Sequence, residues 1–305
     1  MSGRRTALTV LAAAASAAAA AGVWGIGIER HLYTLRARTV HVLEPGSRPI
    51  RALHISDPHL APWQKRRAAW ISRLAALRPD LVISTGDNMG HPDALPAVRA
   101  ALGPFAGTPG VFVHGSNDLW APKPRNPLKY LAGPSRHHPT TAALDTEALD
   151  AFLRDDLGWT PLDNTAAVVS VAGRDIRFMG TNDAHHQLED LESAHRALID
   201  LPDASLTLGV THAPYRHVLD AFIADGADAL FAGHTHGGQV RLPGYGALVA
   251  NCDLPAKQTR GLSTWSHGGR TVPLHVSAGL GHSIYAPVRF ACRPEATLVT
   301  LAPRR

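Results

Sequence analysis

Seven side chains that can bind hard or borderline metal ions fall in five short motifs of this 305-residue chain: Asp57, His59, Asp87, Asn117, His212, His234 and His236. In two of the motifs, Asp57/His59 and His234/His236, the two donor residues are two positions apart. This spacing lets both side chains reach one ion from a single turn of the backbone. Carboxylate, amide and imidazole donors suit Mn, Fe or Zn, and the sequence does not choose among these metals. Because a carboxylate has two oxygens, Asp87 can bridge two cations, so the set predicts a two-metal site.

Each motif follows a short apolar run that predicts a β-strand, at 50–55, 81–84, 111–113, 206–210 and 229–231. The carboxyl ends of parallel strands line one crevice of an α/β sheet, so distant motifs can converge there. Three glycines follow these strands and are expected to let the backbone turn sharply and approach the ions: Gly86, Gly115 and Gly233.

Helical patterns alternate with the predicted strands, at 63–77, 186–201 and 215–224. Further strands are expected at 168–171 and 176–179, as a hairpin, and at 248–250, 272–277 and 297–301. The Pro- and basic-rich stretch 121–139 is expected to form a surface excursion. The pattern predicts an α/β fold of mixed sheets with helices on the outside.

Composition excludes several classes of protein. With 45% hydrophobic and 18% charged residues, the chain is not disordered, collagenous or a coiled coil. Its two cysteines, Cys252 and Cys292, exclude a multi-cysteine metal site, although one disulfide between them stays open. The net charge of +5 comes from scattered basic residues that form no stripe, so no nucleic acid partner is expected.

The amino terminus predicts a membrane segment. Residues 7–28 carry no charge over 22 positions, and a helix of that length covers about 33 Å, enough to span a bilayer. An uncleaved anchor, a cleaved signal peptide and a helix outside the membrane all remain open. We expect the chain at the cell membrane with its globular part outside the cytoplasm, divided into a membrane segment (1–30), a linker (31–49) and one catalytic domain (50–305).

Taken in order, the motifs resemble those of the calcineurin-like metallophosphoesterase superfamily, which has Asp-x-His, Gly-Asp, Gly-Asn-His, a lone His and Gly-His-x-His. The most specific match is the run from Gly233 to Gly238. The membrane segment and the Gly279-Leu280-Gly281 sequence look like the bacterial membrane-associated branch of that family. The resemblance implies a four-layer fold, with two mixed β-sheets packed as a sandwich and flanked by helices.

The resemblance also implies a distribution of the ligands over two divalent cations. One metal would take Asp57, His59, Asp87 and His236, and the other Asp87, Asn117, His212 and His234. Two such cations would generate a hydroxide that attacks phosphorus in line. The expected function is therefore metal-dependent hydrolysis of phosphoester bonds.

The third motif departs from the family pattern, because Gly115-Ser116-Asn117-Asp118 stands where the family has Gly-Asn-His-Asp. An ungapped match makes Ser116 the ligand, whereas a slip of one residue keeps Asn117 as the ligand and puts Asp118 in the histidine position. We favour the slip, since an amide oxygen is a better neutral ligand than a hydroxyl. Asp87, Asn117 and Asp118 are the predicted catalytic residues.

The missing motif histidine leaves the proton donor open. Asp118 could protonate the leaving group, and three histidines from elsewhere are alternatives: His185, His186 and His282. A substrate with a good leaving group, such as a phosphate, would need no donor.

The membrane segment favours an envelope or lipid-linked phosphoester as the substrate. The alternatives are a nucleotide or nucleic-acid phosphodiesterase, which would want a basic groove with interleaved aromatic residues, and a catalytically silent metal-binding scaffold. The sequence leaves the oligomeric state open.

Overall fold

A computed structural model describes residues 2–124 and 142–304 of the chain. Two six-stranded mixed sheets pack face to face, and helices cover the outer face of each sheet. The predicted sandwich of two mixed sheets flanked by helices is confirmed. From residue 125 onward, the predicted surface excursion 121–139 lies outside the described residues.

The first sheet contains β1 (Thr34–Leu43), β2 (Ile50–Ile55), β3 (Leu81–Ser84), β4 (Gly110–Phe112), β5 (Thr160–Pro161) and β14 (Glu295–Pro303). Its strand order is β1-β14-β2-β3-β4-β5. Strands β2 to β5 are parallel, and β14 runs antiparallel to β2.

The second sheet contains β6 (Thr165–Val171), β7 (Arg174–Thr181), β8 (Thr207–Thr211), β9 (Ala229–Ala232), β12 (Gly261–His267) and β13 (Arg270–Val276). Its order is β12-β13-β9-β8-β7-β6, with β7, β8, β9 and β13 parallel. A short separate hairpin is formed by β10 (Arg241–Leu242) and β11 (Gly246–Ala247).

The described helices are α1 (Ser2–Val23), α2 (Lys65–Arg73), α3 (Leu95–Leu102), α4 (Ser116–Leu119), α5 (Thr146–Ala151), α6 (Leu191–Ile199) and α7 (Arg216–Ala224). Helices α2, α3 and α5 pack on the first sheet, and α6 and α7 pack on the second. The layers are therefore helix, sheet, sheet and helix.

Strand β2 shows how the period of two builds these layers. Ile50 and Ala52 face the second sheet in the central core, whereas Leu53 and Ile55 pack against the helices. All four side chains are buried, which explains why the strand has a continuous apolar run instead of an alternating pattern.

The structure corrects the predicted linker over 31–49, because Thr34–Leu43 is strand β1 and pairs in parallel with β14. Val40, Val42 and Leu43 are buried, while most of the earlier half of the strand is exposed and carries Arg36 and Arg38. Since this strand lies at the sheet edge, its charged residues prevent unwanted pairing and also hide the apolar alternation.

Other boundaries differ less. In place of the strand predicted at 248–250, the short β11 ends at Ala247. The helix predicted over 186–201 begins only at Leu191, after a 3₁₀ turn at Ala184–His186. Both cysteines are free and buried.

Helix α1 continues through a π-helical turn, Trp24–Ile28, and a 3₁₀ turn, Glu29–His31. Within the described residues, Arg5–His31 is one helix long and apolar enough to cross a membrane, and a signal sequence would have the same character. None of its most apolar window is buried in the protein.

Candidate dinuclear metal site

The seven predicted ligands converge where the parallel strands of both sheets end. The strand before each ligand is β2 for Asp57 and His59, β3 for Asp87, β4 for Asn117, β8 for His212, and β9 for His234 and His236. Convergence follows from the parallel direction of these strands, since their carboxyl ends share one edge. Six of the seven fall into two groups of side chains with their ligand atoms close together.

The first cluster consists of Asp57, His59, Asp87 and His236, whose ligand atoms all lie within 4.8 Å of one another. His59 Nε2 is 3.2 Å from His236 Nε2 and 3.1 Å from Asp87 Oδ2. His236 Nε2 is 3.5 Å from Asp57 Oδ1. Two carboxylates and two imidazoles therefore point at one small volume.

The second cluster consists of Asp183, His212 and His234, all buried and also within 4.8 Å of one another. His212 Nε2 lies 3.3 Å from His234 Nδ1. Asp183 follows β7 and was not among the predicted ligands. The available signal was an Asn-Asp pair after a strand, which is also common in ordinary turns.

Asp87 links the two clusters. Its Oδ2 atom is 3.1 Å from His59 Nε2 in the first cluster and 3.6 Å from His212 Nε2 in the second. Its carboxylate therefore lies where one group could serve two cations, and its role as a bridge stays a prediction.

Backbone carbonyls select which nitrogen of each imidazole faces the clusters. The contacts are His212 Nδ1 to Thr85 at 2.6 Å, His234 Nε2 to Asn251 at 2.9 Å, and His236 Nδ1 to Gly281 at 3.2 Å. Because a carbonyl oxygen only accepts, the contacting nitrogen carries a hydrogen, and in the neutral ring the other nitrogen presents a lone pair. Those lone pairs face the clusters, so the residues fit divalent metal ions.

The backbone at the ligands is held in the left-handed region, with φ of 48° at Asp57, 41° at His59, 55° at Asp87, 65° at His234 and 49° at His236. Such conformations cost roughly 1–3 kcal/mol each in non-glycine residues and persist only where the surrounding structure imposes them. Nearly half of the eleven described non-glycine residues with positive φ are thus predicted ligands.

Two of the motif glycines are required for space rather than for a turn. A β-carbon at Gly115 would overlap the Asp87 carboxylate and the His212 ring. One at Gly233 would overlap the Ser56 hydroxyl, which donates to Asp57. Of the three motif glycines, only Gly86 has the positive φ that a sharp turn can require, at +84°.

Two buried arginines donate hydrogen bonds to backbone carbonyls in and next to the first cluster. Arg289 donates to the Gly281 carbonyl at 2.5 Å, and Gly281 is the carbonyl that orients His236. Arg67 donates to the carbonyl of His59 at 3.0 Å. Sequence analysis missed both residues, because a lone arginine in a loop or helix carries no motif.

A buried hydrogen-bonded chain continues from Asp57 into the space between the sheets. Ser56 donates to Asp57, Thr85 donates to Ser56 Oγ at 2.7 Å, and Thr85 Oγ1 lies 3.0 Å from His54 Nε2. His54 Nδ1 is 2.8 Å from His275 Nδ1 on β13. The two sheets are thus joined by polar contacts directly beneath the first cluster.

Electrostatics favour ionised carboxylates in both clusters. Burial alone would raise the pKa of Asp87, but the charges of His212 and His59 hold it well below its ordinary value. Burial likewise opposes ionisation of Asp183, yet the hydrogen bond from His186 and nearby imidazoles lower its pKa to about 2. Both groups therefore offer anionic oxygens at neutral pH.

The pKa is lowered in two of the cluster imidazoles and raised in a third. Burial, and then the charge of His59, keeps the pKa of His236 well below its ordinary value, and burial with His212 lowers that of His234. For His212, burial lowers the pKa, but neighbouring carboxylates, Asp87 first, raise it to about 9. A cation at the second cluster must displace that proton, so its binding releases a proton.

The family is decided by comparison with known proteins. Residues 50–238, more than half of the chain, match the family model described as calcineurin-like phosphoesterase. The chain is a calcineurin-like phosphoesterase. With its clustered Asp and His ligands, it is a metallophosphoesterase with a candidate site for divalent metal.

Two relatives of this phosphoesterase come from Bacillus subtilis strain 168. The uncharacterized protein YpbG is 26% identical over 275 residues, which are 89% of this chain and 91% of that protein. The uncharacterized metallophosphoesterase YkuE is 24% identical over 286 residues, which are 90% of this chain and 87% of that protein.

Solved structures with a similar arrangement include a purple acid phosphatase, PPD1, from yellow lupin seeds, at 12% identity and a TM-score of 0.46. The match covers 81% of this chain and 46% of that one. A 5'-nucleotidase precursor from Thermus thermophilus is 15% identical with a TM-score of 0.45, over 84% of this chain and 56% of that one.

In the altered third motif of this phosphoesterase, Asn117 and not Ser116 contacts Asp87. The Asn117 backbone N–H donates to Asp87 Oδ1 at 2.7 Å, and its amide donates to Asp87 Oδ2 at 2.9 Å. The Ser116 hydroxyl accepts from the Asn117 amide at 3.3 Å. These contacts place Asn117 beside the Asp87 carboxylate, and its role as a metal ligand through the amide oxygen, which the one-residue slip implies, stays a prediction.

The contacts of Asp118 argue against the proton-donor role considered for it. Asp118 Oδ1 accepts from the backbone N–H groups of Asn88 at 2.7 Å and Met89 at 3.2 Å, and Oδ2 accepts from Gly115 at 3.2 Å. Burial raises the pKa of this carboxyl to about 6. Both carboxylate oxygens of Asp118 therefore accept hydrogen bonds from backbone N–H groups. Asp118 is a positioning residue, because it connects the loop that follows Asp87 to the loop that carries Asn117.

The alternative histidines lie in different places. The ring centroid of His185 is 4.5 Å from that of His234, and His186 Nδ1 is 2.8 Å from Asp183 Oδ2, so both border the second cluster. His282 instead contacts the buried Arg67 at 3.1 Å, behind the first cluster. Burial lowers the pKa of His185 to about 3, which makes it a poor acid at neutral pH.

Proposed function

We propose that this metallophosphoesterase hydrolyses phosphoester bonds at a dinuclear site and that its substrate is an envelope or lipid-linked phosphoester. The observation that carries the dinuclear part is the position of Asp87 Oδ2 between His59 and His212. Mn, Fe or Zn would each suit the donor set.

The first cation would be held by the first cluster, and the second by Asp87, Asn117, His212 and His234, with Asp183 as a further donor. When bound, two such cations activate water for in-line attack on phosphorus and stabilise the charge that develops there. The chain supplies the rest: carbonyl-oriented imidazoles, strained loops that hold the ligands before binding, and buried arginines that fix the first cluster.

The absence of the motif histidine bears on which substrates the enzyme can cleave. Neither third-motif residue considered for the histidine position supplies a proton: the Asn117 amide can donate a hydrogen bond but cannot protonate a leaving group, and both carboxylate oxygens of Asp118 accept from backbone N–H groups. We infer a preference for leaving groups of low pKa, such as a phosphate. Rates on a series of aryl phosphoesters should fall steeply as the pKa of the leaving phenol rises, and a flat series would mean that another group supplies the proton.

The apolar helix Arg5–His31, which is long enough to span a bilayer, supports the membrane part of the proposal. A short basic head before such a helix favours a globular domain outside the cytoplasm. Such an anchor would place the site near membrane-embedded substrates. The full chain in vesicles should cleave a lipid phosphoester faster than a short-chain soluble analogue with the same headgroup, and equal rates would remove the lipid preference.

The decisive test of the reaction is metal analysis of the full chain in detergent, combined with a panel of phosphomonoesters and phosphodiesters. Two metals per chain with turnover of simple esters are expected. Turnover confined to nucleotide or nucleic-acid diesters would support the alternative diesterase. A chain that binds two metals and cleaves nothing in the panel would be a silent scaffold.

A further inference from the structure

The end of the apolar helix is locked onto the globular domain. The Glu29 carboxylate accepts hydrogen bonds from the backbone N–H groups of Ala291 at 2.9 Å and Cys292 at 2.6 Å. The Arg289 backbone N–H donates to the Gly25 carbonyl at 3.1 Å. Because Glu29 is buried, these bonds hold the helix end against the segment before β14.

A cavity of about 370 Å³ opens beside this junction. Its lining includes two aromatic rings and three guanidinium groups, those of Trp24, Phe290, Arg36, Arg260 and Arg293. A guanidinium presents a planar fork of donors that matches a phosphate group. The lining therefore combines phosphate-binding groups with apolar surface at the point where the helix leaves the domain.

Cationic charge in this cavity is only partly compensated. Arg36 pairs with Glu295 at 3.1 Å, and the Glu29 carboxylate is used by its N–H donors and by the Trp24 indole at 2.7 Å. In the described part of the chain, no carboxylate lies within 4.0 Å of Arg260 or Arg293. The cavity thus retains positive charge that an anion can neutralise.

The rim of the cavity is apolar and exposed. The β10–β11 hairpin carries Pro243 in the cavity wall, with Leu242 47% and Tyr245 74% exposed on either side of it. Trp24 in the helix is 40% exposed. Aromatic side chains next to arginines at the end of an apolar helix have the composition of a membrane–water interface.

We propose that this cavity binds the phosphate headgroup of an anionic phospholipid in the membrane that the helix Arg5–His31 occupies. The inference rests on the proposed membrane anchoring and adds to it a lipid site separate from the metal clusters. Arg260 and Arg293 would bind the phosphate, while Trp24 and the tip of the hairpin would contact the glycerol and upper acyl chains.

Native mass spectrometry of the full chain in detergent tests the proposal by counting retained lipids. One phosphatidylglycerol per chain should be retained in preference to phosphatidylcholine. Arg293→Gln and Arg260→Gln should each weaken phosphatidylglycerol retention roughly fivefold, the value of one basic residue near an anionic surface. Arg154→Gln removes an exposed arginine outside the cavity and should leave retention unchanged.

Three results would overturn the proposal. They are equal retention of the two lipids, no loss in either cavity variant, and full displacement of phosphatidylglycerol by inorganic phosphate at the same concentration, which would indicate a free-phosphate site. Hydrolysis of a soluble diester by the same samples reports the proposed reaction separately. Retained hydrolysis without lipid preference would therefore reject the lipid site alone.

Discussion

The two clusters of candidate metal ligands differ in how the chain assembles them. In the first, Asp57 and His59 come from one turn, and Arg67 and Arg289 brace the cluster from behind. In the second, Asp183, His212 and His234 each follow a different strand, and His185 and His186 border them. The first cluster takes two of its four ligands from one turn and the other two from loops after β3 and β9, whereas each ligand of the second cluster follows a different strand of one sheet.

The difference suggests a division of roles. The first cluster is enclosed by buried donors that hold its ligands rigidly, which favours tight metal binding. The second cluster adjoins the altered third motif and the histidine-rich rim, where a substrate would be contacted. Four substitutions separate these roles, from the largest expected effect to the smallest.

Asp87→Asn should damage both clusters at once, because it removes the one negative charge that lies between them. We expect turnover of a soluble diester to fall roughly 10³-fold or more, with metal content below two per chain by elemental analysis. Asp93→Asn, at an exposed carboxylate, is the matched control. Two retained metals with near-normal turnover would show that the clusters do not share Asp87.

Asp183→Asn should affect the second cluster alone. Its neutral amide keeps the size of the side chain but removes an anionic donor, so metal content should fall from two to one per chain and turnover roughly 10²-fold. Asp203→Asn, at an exposed carboxylate, serves as the control. Unchanged metal content would exclude Asp183 as a ligand and leave Asp87, Asn117, His212 and His234 as the proposed ligands of the second cation.

Arg289→Lys should weaken the first cluster without touching its ligands. A lysine cannot reproduce the donations to the carbonyls of Gly279 and Gly281, so His236 loses its support. Metal affinity of one site should fall about 10–100-fold in a chelator competition, while the other site stays unchanged. Arg196→Lys, on the surface of α6, should change neither. Equal weakening of both sites would mean that the clusters do not bind independently.

His275→Gln should have the smallest effect, on stability beneath the first cluster. Burial, and then the charge of Arg38, lowers the pKa of His275 to about 3. Between its ordinary value of 6.5 and about 3, the unfolded chain binds a proton that the folded chain excludes, so stability falls as the pH drops through that window. The loss reaches about 1.4 kcal/mol per pH unit for one group.

The measurement is urea unfolding of the metal-free protein at pH 7 and pH 5. The His275→Gln variant should lose less stability between these values than the wild type does. His54, whose pKa burial also lowers, keeps its own contribution in the variant. His217→Gln, at a half-exposed imidazole, should retain the full dependence. An unaltered dependence in His275→Gln would show that His275 is protonated in the folded protein.

Much of the fold followed from local patterns. The strands before the motifs were predicted to within about two residues, because their buried faces produce continuous apolar runs. Strand β1 was missed, since its edge position exposes Arg36 and Arg38 and obscures the pattern. Strand β12 was also missed. None of its side chains is fully buried, and few of its residues are apolar, so the strand has no apolar run.

By itself, the sequence determined the types and order of the candidate ligands, the altered third motif and the exclusion of a multi-cysteine metal site, because residue identity and short spacing are local properties. Only the tertiary structure decided that Asp183 joins the second cluster, that Asp118 binds backbone N–H groups, and that the end of the apolar helix contacts the domain through Glu29. Each of these depends on which strands and loops are neighbours in space, and that is a property of the packed sheets.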